Sequence, residues 1–386
     1  MSLSAAPPPR AEIVVDAAAI RHNLARLRAL VGGDAGPAMM AVVKADGYGH
    51  GILGAAAAAR EAGAEWLGVA TLDEALALRE FGDLGRVLCW LVVPGEDYRP
   101  AIAADIDVAA YSVTQLAAIE AAAVEVGLAA RVHLKVDTGL SRGGAPRSEW
   151  DDLIAAARRA QDAGALVPVG IWSHFACSDE PDHPANDAQE AAFREAVGLA
   201  EEAGLALEVR HLANSAGALL RPGARFDLVR FGIATYGLNP APGVIRDEDL
   251  GLVPAMTVRA TVLLGKDLDT GAGVSYGHTY VVEDPVRVAL VPLGYGDGVP
   301  RHASSTAQVQ VNGARGRVLG RICMDQFVVE APAVRAGDEV VLFGTGQDGA
   351  PTAQDWAEWC GTISYEVVTR IGGRAQRTWT DSAVRP

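Results

Sequence analysis

Five apolar runs in the first 240 residues of this 386-residue chain end in side chains that could act on a substrate or hold an anion. If these runs are the parallel strands of a barrel, their carboxyl ends meet at one mouth, where barrel enzymes place their chemistry. A single lysine or histidine at such an end is most often a solvated or hydrogen-bonded residue. Five polar ends that converge on one mouth favour a functional site instead. In chain order, these ends carry Lys44, Lys135, His174, Asn214 with Ser215, and Arg230.

The residue types at these ends point to one cofactor. A lysine amine in a partly dry mouth can lose its proton and form a Schiff base with an aldehyde. The segments 214–217 and 232–233, after the seventh and eighth runs, consist of small or apolar residues whose backbone N–H groups could contact a phosphate. A buried guanidinium at Arg230 would in turn need acceptors around it. An aldehyde that carries a phosphate is pyridoxal phosphate, and the sequence predicts it as the cofactor.

The pattern over residues 16–237 predicts the scaffold that brings these ends together. Short apolar runs alternate with segments of helical period, and several runs are continuously apolar, as expected of parallel strands buried on both faces. Asp16 is the predicted N-cap of the first helix. Eight strand–helix units favour a (β/α)8 barrel over a doubly wound sheet, which usually has six strands and a glycine-rich first turn. The eight runs are 38–44, 65–70, 87–92, 106–111, 131–136, 167–174, 207–213 and 226–231.

Beyond residue 240 the sequence changes to short β-rich runs that are separated by Gly, Asp and Pro. This is typical of a mostly antiparallel β domain. We therefore predict a flexible tail over 1–11, a cofactor-binding (β/α)8 barrel over 12–240 and a C-terminal β domain over 241–386. One helix is expected near 352–359. The predicted strands of the second domain are 258–264, 287–293, 307–311, 317–323, 326–330 and 339–343.

Composition excludes several classes of protein. Half of the residues are apolar and 21% are charged, which is enough for a substantial core. The net charge of −15, with no run of Lys or Arg, argues against nucleic acid or an anionic membrane as a partner. The four cysteines are scattered without a CxxC pair, so we expect a reducing compartment with neither a disulfide framework nor a metal site. With no signal peptide and no membrane-spanning run, the chain is predicted to be cytoplasmic and to act on a small molecule.

Longer motifs along nearly the whole chain resemble those of the alanine racemases. The segment 41–51, AVVKADGYGHG, is similar to the pyridoxal-phosphate attachment signature of that family. The resemblance implies a barrel followed by a β domain, as the strand pattern does. The other matching segments, in chain order, are 133–140 (HLKVDTGL), 173–175 (SHF), 214–215 (NS), 229–233 (VRFGI), 274–277 (VSYG), 294–298 (GYGDG), 320–326 (GRICMDQ) and 362–366 (TISYE).

The resemblance implies an enzyme that interconverts L- and D-alanine and supplies D-alanine for peptidoglycan. Racemisation needs a base on each face of the Cα atom, since one base would return the proton to the side it left. Lys44 would carry the cofactor and act as the base for D-alanine, and the partner subunit's Tyr276 would be the base for L-alanine. The family is therefore expected to form homodimers with shared active sites. The residues implied to hold the cofactor, besides Lys44, are Tyr48, His174, Asn214, Ser215, Arg230, Gly232, Ile233 and Tyr365.

The resemblance also implies a substrate site. Arg142 and the backbone of Met324 would bind the substrate carboxylate, and Asp325 and Tyr295 would complete the site. A carbamylated Lys135 would orient Arg142. The chain departs from the family pattern directly after Arg142, because it has two glycines at 143–144 where many members have a leucine and a glycine.

Three alternatives share part of this pattern. The nearest is a serine or broad-specificity amino-acid racemase of the same fold, and side-chain room near Tyr365, Tyr295 and Met324 would separate it from an alanine racemase. A barrel-type pyridoxal-phosphate carrier would lack the β domain, which here contains Tyr276. A barrel-type decarboxylase usually has a cysteine-containing motif in its second domain and a glycine-rich phosphate loop, and the sequence has neither. A chiral assay on L-alanine, with L-serine beside it, would discriminate best among these functions.

Overall fold

The computed structural model describes residues 9–382. Its first strand, β1 (Ala11–Asp16), leads directly into helix α1 (Ala17–Leu30). Asp16 caps the helix as predicted, since its side chain accepts a hydrogen bond from the Ala18 N–H at 2.9 Å. One face of the helix is apolar and fully buried, and its residues include Ile20, Leu24 and Leu27.

Eight parallel strands form the nearly closed barrel that the sequence predicts. The strands follow chain order round the sheet, and the last pairs with the first. Backbone hydrogen bonds of 3.1 Å, such as that from the Arg230 N–H to the Ala213 carbonyl, bridge the remaining gap between the seventh and eighth strands. Each predicted run coincides with one strand, although most strands are shorter because the chain turns into the mouth. The strands are β2 (Ala38–Val42), β3 (Trp66–Val69), β4 (Arg86–Cys89), β5 (Asp107–Ala110), β6 (Ala130–Lys135), β7 (Leu166–Trp172), β8 (Val209–His211) and β9 (Leu228–Phe231).

Helices connect successive strands of the barrel. They are α2 (Lys44–Tyr48), α3 (Ile52–Glu61), α4 (Leu72–Glu80), α5 (Arg99–Ala103), α6 (Val113–Val126), α7 (Trp150–Asp162), α8 (Ala185–Glu202) and α9 (Ser215–Leu220), with α10 (Asp247–Leu250) after the last strand. Polar residues start these helices shortly after the strands end. Thr71 and Glu74 form a capping box on α4, and the Ser112 side chain accepts from the Gln115 N–H on α6. These caps satisfy backbone N–H groups on the side of the barrel that contains the mouth.

The second half of the chain forms a mostly antiparallel sheet, as predicted. Its strands are β10 (Met256–Thr261), β11 (Leu264–Leu268), β14 (Val286–Val291), β15 (Gln308–Val311), β16 (Ala314–Leu319), β17 (Phe327–Glu330), β18 (Glu339–Phe343) and β19 (Gln376–Thr380), with β12 (Gly273–Val274) and β13 (Tyr280–Val281) in a separate hairpin. Helices α11 (Ala353–Cys360) and α12 (Ser364–Arg370) precede the last strand, and α11 agrees with the helix expected near 352–359.

Strand β1 belongs to this second sheet and not to the barrel. It pairs antiparallel with β10, where Ala11 faces Ala260, and parallel with β19, where Glu12 faces Gln376. The predicted barrel begins at residue 12 and so includes most of β1, which pairs instead with strands of the second domain. Pairing between segments so far apart along the chain leaves no pattern in the local sequence. Of the predicted flexible tail, residues 1–8 lie outside the described residues and Ala11 already belongs to β1. The N-terminal strand therefore ties the barrel to the β domain.

A continuous apolar core extends from the barrel into the second sheet. It includes Val15 on β1, Val258 on β10 and Phe343 on β18, all essentially inaccessible to solvent. Within residues 9–382, we find no helix with the length and apolar character needed to cross a membrane. The packed core holds the loops of the second domain in a defined place relative to the barrel.

Candidate active site

The carboxyl ends of the barrel strands surround a cavity of about 760 Å³. The barrel supplies most of its wall, and α12 of the second domain closes one side. The sequence-predicted site residues that line this cavity are Lys44, Tyr48, Lys135, Arg142, His174, Asn214, Ser215, Arg230, Gly232, Ile233 and Tyr365. Residues from distant parts of the chain therefore meet at one mouth, as the barrel interpretation requires.

Lys44 follows β2 and begins a left-handed turn. Residues 45–48 all have φ between 53° and 62°. Left-handed φ values are costly for residues with a Cβ atom, and such strain is concentrated at functional sites. The Ala45 N–H donates to the Glu74 carboxylate at 2.7 Å, which holds the start of the turn. The turn brings both Lys44 and Tyr48 to the cavity wall.

The amine of Lys44 lies in a partly buried and electropositive environment. Burial and then the charge of Arg142 lower the pKa of Lys44, and the Glu74 carboxylate opposes this shift only partly. Its Nζ atom is 6.0 Å from the centroid of the Trp90 ring. A lysine with a lowered pKa is more often neutral, which is the form that can attack a carbonyl or accept a proton.

A second lysine, Lys135, lies between two aromatic rings. Its Nζ atom is 4.2 Å from the centroid of Trp172 and 4.7 Å from that of Tyr111. Burial, followed by the charges of Arg230 and Arg142, lowers the pKa of Lys135 to about 7. Within residues 9–382 no carboxylate lies within ion-pairing distance of this amine, so its positive charge is poorly compensated.

One wall of the cavity is formed by Arg230, which is only 4% exposed. The two hydrogens of its Nη2 group are shared among three acceptors: the carbonyls of Ser173 (2.8 Å) and Leu212 (2.9 Å) and Nδ1 of His174 (3.1 Å). Its Nη1 group donates to Nδ1 of His211 at 3.0 Å. Burial lowers the pKa of Arg230 to about 9, which leaves the guanidinium charged at neutral pH. Burial and the Arg230 charge lower the pKa of His174 well below its ordinary value, so this ring is neutral and accepts at Nδ1.

Hydroxyl groups of Tyr48, Ser215 and Tyr365 also line the cavity. The Gly232 N–H donates to the Ser215 hydroxyl at 3.0 Å. A Cβ atom at residue 232 would lie 2.5 Å from the Tyr48 hydroxyl oxygen, so only glycine leaves room there. Burial raises the pKa of Tyr48, and it raises the pKa of Tyr365 to about 12. Both hydroxyls therefore keep their protons and can donate hydrogen bonds to an anion.

Asn214 borders the cavity but already has structural partners. Its side-chain oxygen accepts hydrogen bonds of 2.9 Å from the Gly217 N–H and from the Ser178 hydroxyl. The first of these bonds caps helix α9. This side chain therefore positions the start of α9 beside Ser215.

Four predicted site residues lie outside the cavity, on loops of the second domain. We call Tyr276, Tyr295, Met324 and Asp325 the rim. Tyr276 is 72% exposed, Met324 54% and Tyr295 42%, and Asp325 forms a surface ion pair of 2.7 Å with Arg374. The loops are bound to one another, since the Tyr295 N–H donates to the Cys323 carbonyl and the Gly296 N–H to the Met324 carbonyl.

Three aromatic residues of the cavity wall were not among the predicted site residues. Trp90, Tyr111 and Trp172 all line the cavity. Each stands within a predicted apolar run, close to its carboxyl end, so a search restricted to polar strand ends passes over it. The useful signal would have been the position of an aromatic ring at a strand end, next to the mouth.

The fold is a (β/α)8 barrel followed by a β domain, with a lysine shortly after the first barrel strand and exposed tyrosines on the rim of the second domain. Residues 15–240 match the family model described as alanine racemase, N-terminal domain. Residues 255–379 match the model described as alanine racemase, C-terminal domain. The chain belongs to the alanine racemase family, whose members depend on pyridoxal phosphate.

Similarity to individual alanine racemases extends over nearly the full length. The chain is 54% identical to the alanine racemase of Salinispora tropica over 365 residues, which cover 94% of this chain and 96% of the relative. It is 50% identical to that of Streptomyces coelicolor, with 96% of both chains covered. The solved alanine racemase from D-cycloserine-producing Streptomyces lavendulae superposes with a TM-score of 0.95 at 48% identity, covering 98% of this chain and 99% of that one. The protein accordingly racemises alanine, and the serine or broad-specificity alternative is not favoured.

Proposed function

We propose that this racemase binds pyridoxal phosphate in the barrel cavity, with Lys44 as its covalent attachment point. The observation that carries this proposal is the set of groups that share one cavity: the partly buried Lys44 amine, the charged Arg230 and the two protonated tyrosines, Tyr48 and Tyr365. Withdrawal of electrons from the Cα–H bond of alanine is the chemistry that the bound cofactor supplies.

The lining of the cavity contains suitable groups for both the phosphate and the pyridine ring of this cofactor. Tyr48 and Tyr365 are hydroxyl donors for a phosphate, and Ser215 with the backbone at 232–233 would surround it. Gly232 leaves the space that any side chain would fill. Arg230, backed by His174, would lie beside the pyridine nitrogen. A guanidinium donates hydrogen bonds without releasing its proton readily, so that nitrogen would stay uncharged and side reactions such as transamination would be suppressed.

The two bases would come from two chains. Lys44 would take or return the proton on one face of the alanine Cα atom, and the partner subunit's Tyr276 would do so on the other. In a single chain Tyr276 is 72% exposed and does not line the cavity. A two-fold homodimer in which each rim covers the other chain's mouth would complete two identical sites.

Arg142 would bind the carboxylate of alanine. It lines the cavity, its side chain is exposed at the mouth, and within residues 9–382 no carboxylate pairs with it. The backbone at Met324, with Tyr295 and Asp325, would complete the substrate site from the rim. Bidentate pairing between a guanidinium and a carboxylate supplies both affinity and orientation.

Lys135 suits carbamylation by carbon dioxide, and the carbamate would orient Arg142. Carbon dioxide reacts with the neutral form of an amine, and the pKa of Lys135 is lowered to about 7. The indole N–H of Trp172, whose ring lies 4.2 Å from the Lys135 amine, is buried with no hydrogen-bond acceptor within the described residues. A carbamate oxygen would be an acceptor for it. Converting the amine to an anion would also relieve the uncompensated positive charge beside Arg230 and Arg142.

The decisive test combines activity with covalent labelling. The purified protein should convert L-alanine to D-alanine in a chiral assay far faster than it converts L-serine. Borohydride treatment of the holoenzyme should fix the cofactor on a peptide that contains Lys44. A label on Lys135 instead would contradict the assignment of the attachment lysine, and comparable rates on the two substrates would contradict alanine specificity.

We further propose that the enzyme works in the cytoplasm and supplies D-alanine for peptidoglycan. All four cysteines, at positions 89, 177, 323 and 360, are free thiols. Free and partly exposed thiols suit a reducing compartment. Localisation of a tagged chain, together with D-alanine dependence of growth after deletion of its gene, would test both statements.

A further inference from the structure

A line of buried polar side chains crosses the barrel interior below the cavity. Asp107 is the first residue of β5, at the amino ends of the strands, His133 lies in the middle of β6 and His211 is the last residue of β8. All three are inaccessible to solvent. Barrel interiors of this kind are usually filled with branched apolar side chains. Buried titratable groups are costly unless they are hydrogen-bonded, so these three residues call for a specific explanation.

Three consecutive hydrogen bonds connect this line to the active site. Arg230 Nη1 lies 3.0 Å from Nδ1 of His211, and Nε2 of His211 lies 3.0 Å from Nδ1 of His133. Nε2 of His133 then lies 3.0 Å from the Asp107 carboxylate. Because Arg230 lines the cavity, the chain of bonds runs from the cavity wall to the opposite end of the barrel.

The chemistry of the two end groups determines the direction of every bond. A guanidinium only donates, so Nδ1 of His211 must accept and the hydrogen of this neutral ring lies on Nε2. That hydrogen points to Nδ1 of His133, which must also accept, and the hydrogen of His133 therefore lies on Nε2. An ionised carboxylate only accepts, so Asp107 terminates the chain consistently. A hydrogen-bond donor at the position of Asp107 would allow the donor–acceptor direction of these hydrogen bonds to reverse. The N–H of His211 would then lie on Nδ1 and face Arg230.

The surroundings keep these charge states in place at neutral pH. Burial by itself would raise the pKa of Asp107, but the hydrogen bond from His133 and the nearby Arg131 and Arg86 together lower it to about 2. Both guanidiniums contact the carboxylate, at 2.5 Å and 3.0 Å respectively. Burial lowers the pKa of both histidines, and that of His211 falls well below its ordinary value. The carboxylate is thus charged and the two rings are neutral.

Packing prevents the His211 ring from turning away if its hydrogen changes position. The ring stacks on Trp172 with 5.4 Å between centroids and an angle of 6° between planes. The His133 ring meets Trp66 edge-on at 5.3 Å. A reversed tautomer of His211 would therefore set its N–H against the Arg230 guanidinium, and the guanidinium would have to move.

We propose that Asp107 is a remote positioning residue of the racemase: through His133 it fixes the tautomer of His211, and His211 holds Arg230 at the cavity wall. The hydrogen-bond relay itself depends only on the protein. Its effect on catalysis rests on the proposed function, which assigns Arg230 a place beside the cofactor ring. Remote partners of this kind typically change activity by ~10- to 100-fold, as outer-shell partners of metal ligands do.

The test uses Asp107→Asn, which keeps the size and one acceptor but introduces an amide donor. Holoenzyme with 15N in its histidine rings should show, in 1H–15N correlation spectra, that His133 and His211 are neutral and carry their hydrogen on Nε2. In the variant, His211 should acquire the form with hydrogen on Nδ1. The kcat for alanine should fall by ~10-fold or more with KM nearly unchanged, and the cofactor absorbance band should shift.

Asp83→Asn is the matched control. Asp83 is a carboxylate with 9% side-chain exposure that also pairs with two arginines, Arg60 and Arg79, and it lies just before β4 at the same end of the barrel. Among residues 9–382, its side chain has hydrogen bonds to Arg60, Arg79 and the Gly85 N–H and none to a histidine, so the tautomers and the absorbance band should stay as in the unmodified enzyme.

Each outcome bears on a stated part of the proposal. A hydrogen on Nδ1 of His211 in the unmodified enzyme would overturn the relay without any variant, even if Asp107→Asn fails to fold. An unchanged tautomer in Asp107→Asn would also overturn it. A changed tautomer with unaltered kcat would show that His211 does not hold Arg230 in place. If borohydride labels no lysine while the tautomers behave as expected, the proposed cofactor site fails and the relay survives.

Discussion

The barrel mouth and the rim, the two regions proposed to share one active site, are built in opposite ways. In the mouth, Arg230 is 4% exposed and Tyr48 9%, and hydrogen bonds from both Nη groups hold the guanidinium in place. On the rim, Tyr276 is 72% exposed and Met324 54%. A buried polar group keeps its orientation because surrounding atoms determine it, whereas an exposed side chain takes its orientation from whatever covers it. In the proposed dimer, each chain would contribute a preorganised half-site at its mouth and an exposed half-site at its rim.

Exposed apolar side chains beside the cavity also indicate that the mouth is an interaction surface. Leu91 and Ile363 line the mouth and are 56% and 60% exposed, and Val93 nearby is 57% exposed. Exposed apolar groups that cluster at a site mark an interaction surface more often than a solvent-facing one. These exposed apolar side chains would be buried if another surface packed over the mouth. In the proposed dimer, the rim of the second chain would be that surface.

The largest effect is expected when either half loses its base. Lys44→Ala and Tyr276→Ala should each lower racemisation by ~10⁴-fold or more, because each leaves one face of the Cα atom without a proton acceptor. Mixing the two inactive variants under conditions that exchange subunits should restore activity at about a quarter of all sites, since each mixed dimer has one intact site. The measurement is the racemase rate before and after exchange.

Two controls make this mixing experiment decisive. Each variant incubated alone under the same conditions should stay inactive. Subunit exchange should be verified independently, for instance with differently tagged chains. Confirmed exchange without any recovered activity would mean that both bases act from the same chain. The proposal that the mouth of one chain and the rim of the other form one active site would then be wrong.

A smaller effect is expected for Arg142 at the border between the two halves. Arg142→Ala should lower kcat/KM for alanine by ~10²-fold, because a charge-assisted bidentate contact with the carboxylate is lost. The cofactor absorbance should survive. Arg147→Ala is the control, since this exposed arginine pairs with Glu195 at 2.6 Å and lies away from the cavity wall. Equal kcat/KM values for the two variants would place the carboxylate elsewhere.

The tight end of the mouth should tolerate no additional atom. Gly232→Ala would bring a Cβ atom to 2.5 Å from the Tyr48 hydroxyl oxygen, and overpacking of this kind usually costs about 1–3 kcal/mol. We expect the affinity for pyridoxal phosphate to fall by ~10-fold or more, as measured by absorbance titration of the cofactor-free protein. Gly198→Ala on α8 is the control, because its Cβ atom would meet no atom of the described residues within 4 Å. Unchanged affinity in Gly232→Ala would contradict the phosphate assignment.

The smallest effect concerns Lys135. Its pKa is lowered to about 7, mainly by burial, so the amine is mostly neutral above that pH and mostly protonated below it. Removing carbon dioxide at mildly alkaline pH should lower kcat/KM by ~10-fold, and bicarbonate should restore it. At mildly acidic pH bicarbonate should restore much less, because a protonated amine does not react. Labelled bicarbonate should give one slowly exchanging 13C signal.

The matched variant for this prediction is Lys135→Ala. It should show neither the 13C signal nor any response to bicarbonate. If the unmodified enzyme is equally insensitive to carbon dioxide, Lys135 acts as a free amine and another group must orient Arg142.

Much of this molecule can be read from local patterns. Eight apolar runs, several of them continuously apolar, predict the eight barrel strands, because parallel strands buried on both faces are mostly apolar along their length. Asp16 predicts the start of α1 through its capping side chain. Polar residues at the ends of runs, such as Lys44 and Arg230, identify the mouth, since parallel strands place their carboxyl ends together. Motifs that resemble a known family then identify the reaction, and the comparisons confirm it.

Other features were decided by tertiary structure alone. The pairing of β1 with strands far along the chain, the aromatic lining at Trp172, and the line from Asp107 to Arg230 arise from contacts between distant segments. A histidine within an apolar run has the same local signature whether it fills space or transmits a hydrogen bond. Only the fold places Nδ1 of His133 3.0 Å from Nε2 of His211. The reason is physical: burial, pKa and hydrogen-bond direction are properties of a side chain's surroundings, and those surroundings exist only when the barrel has closed.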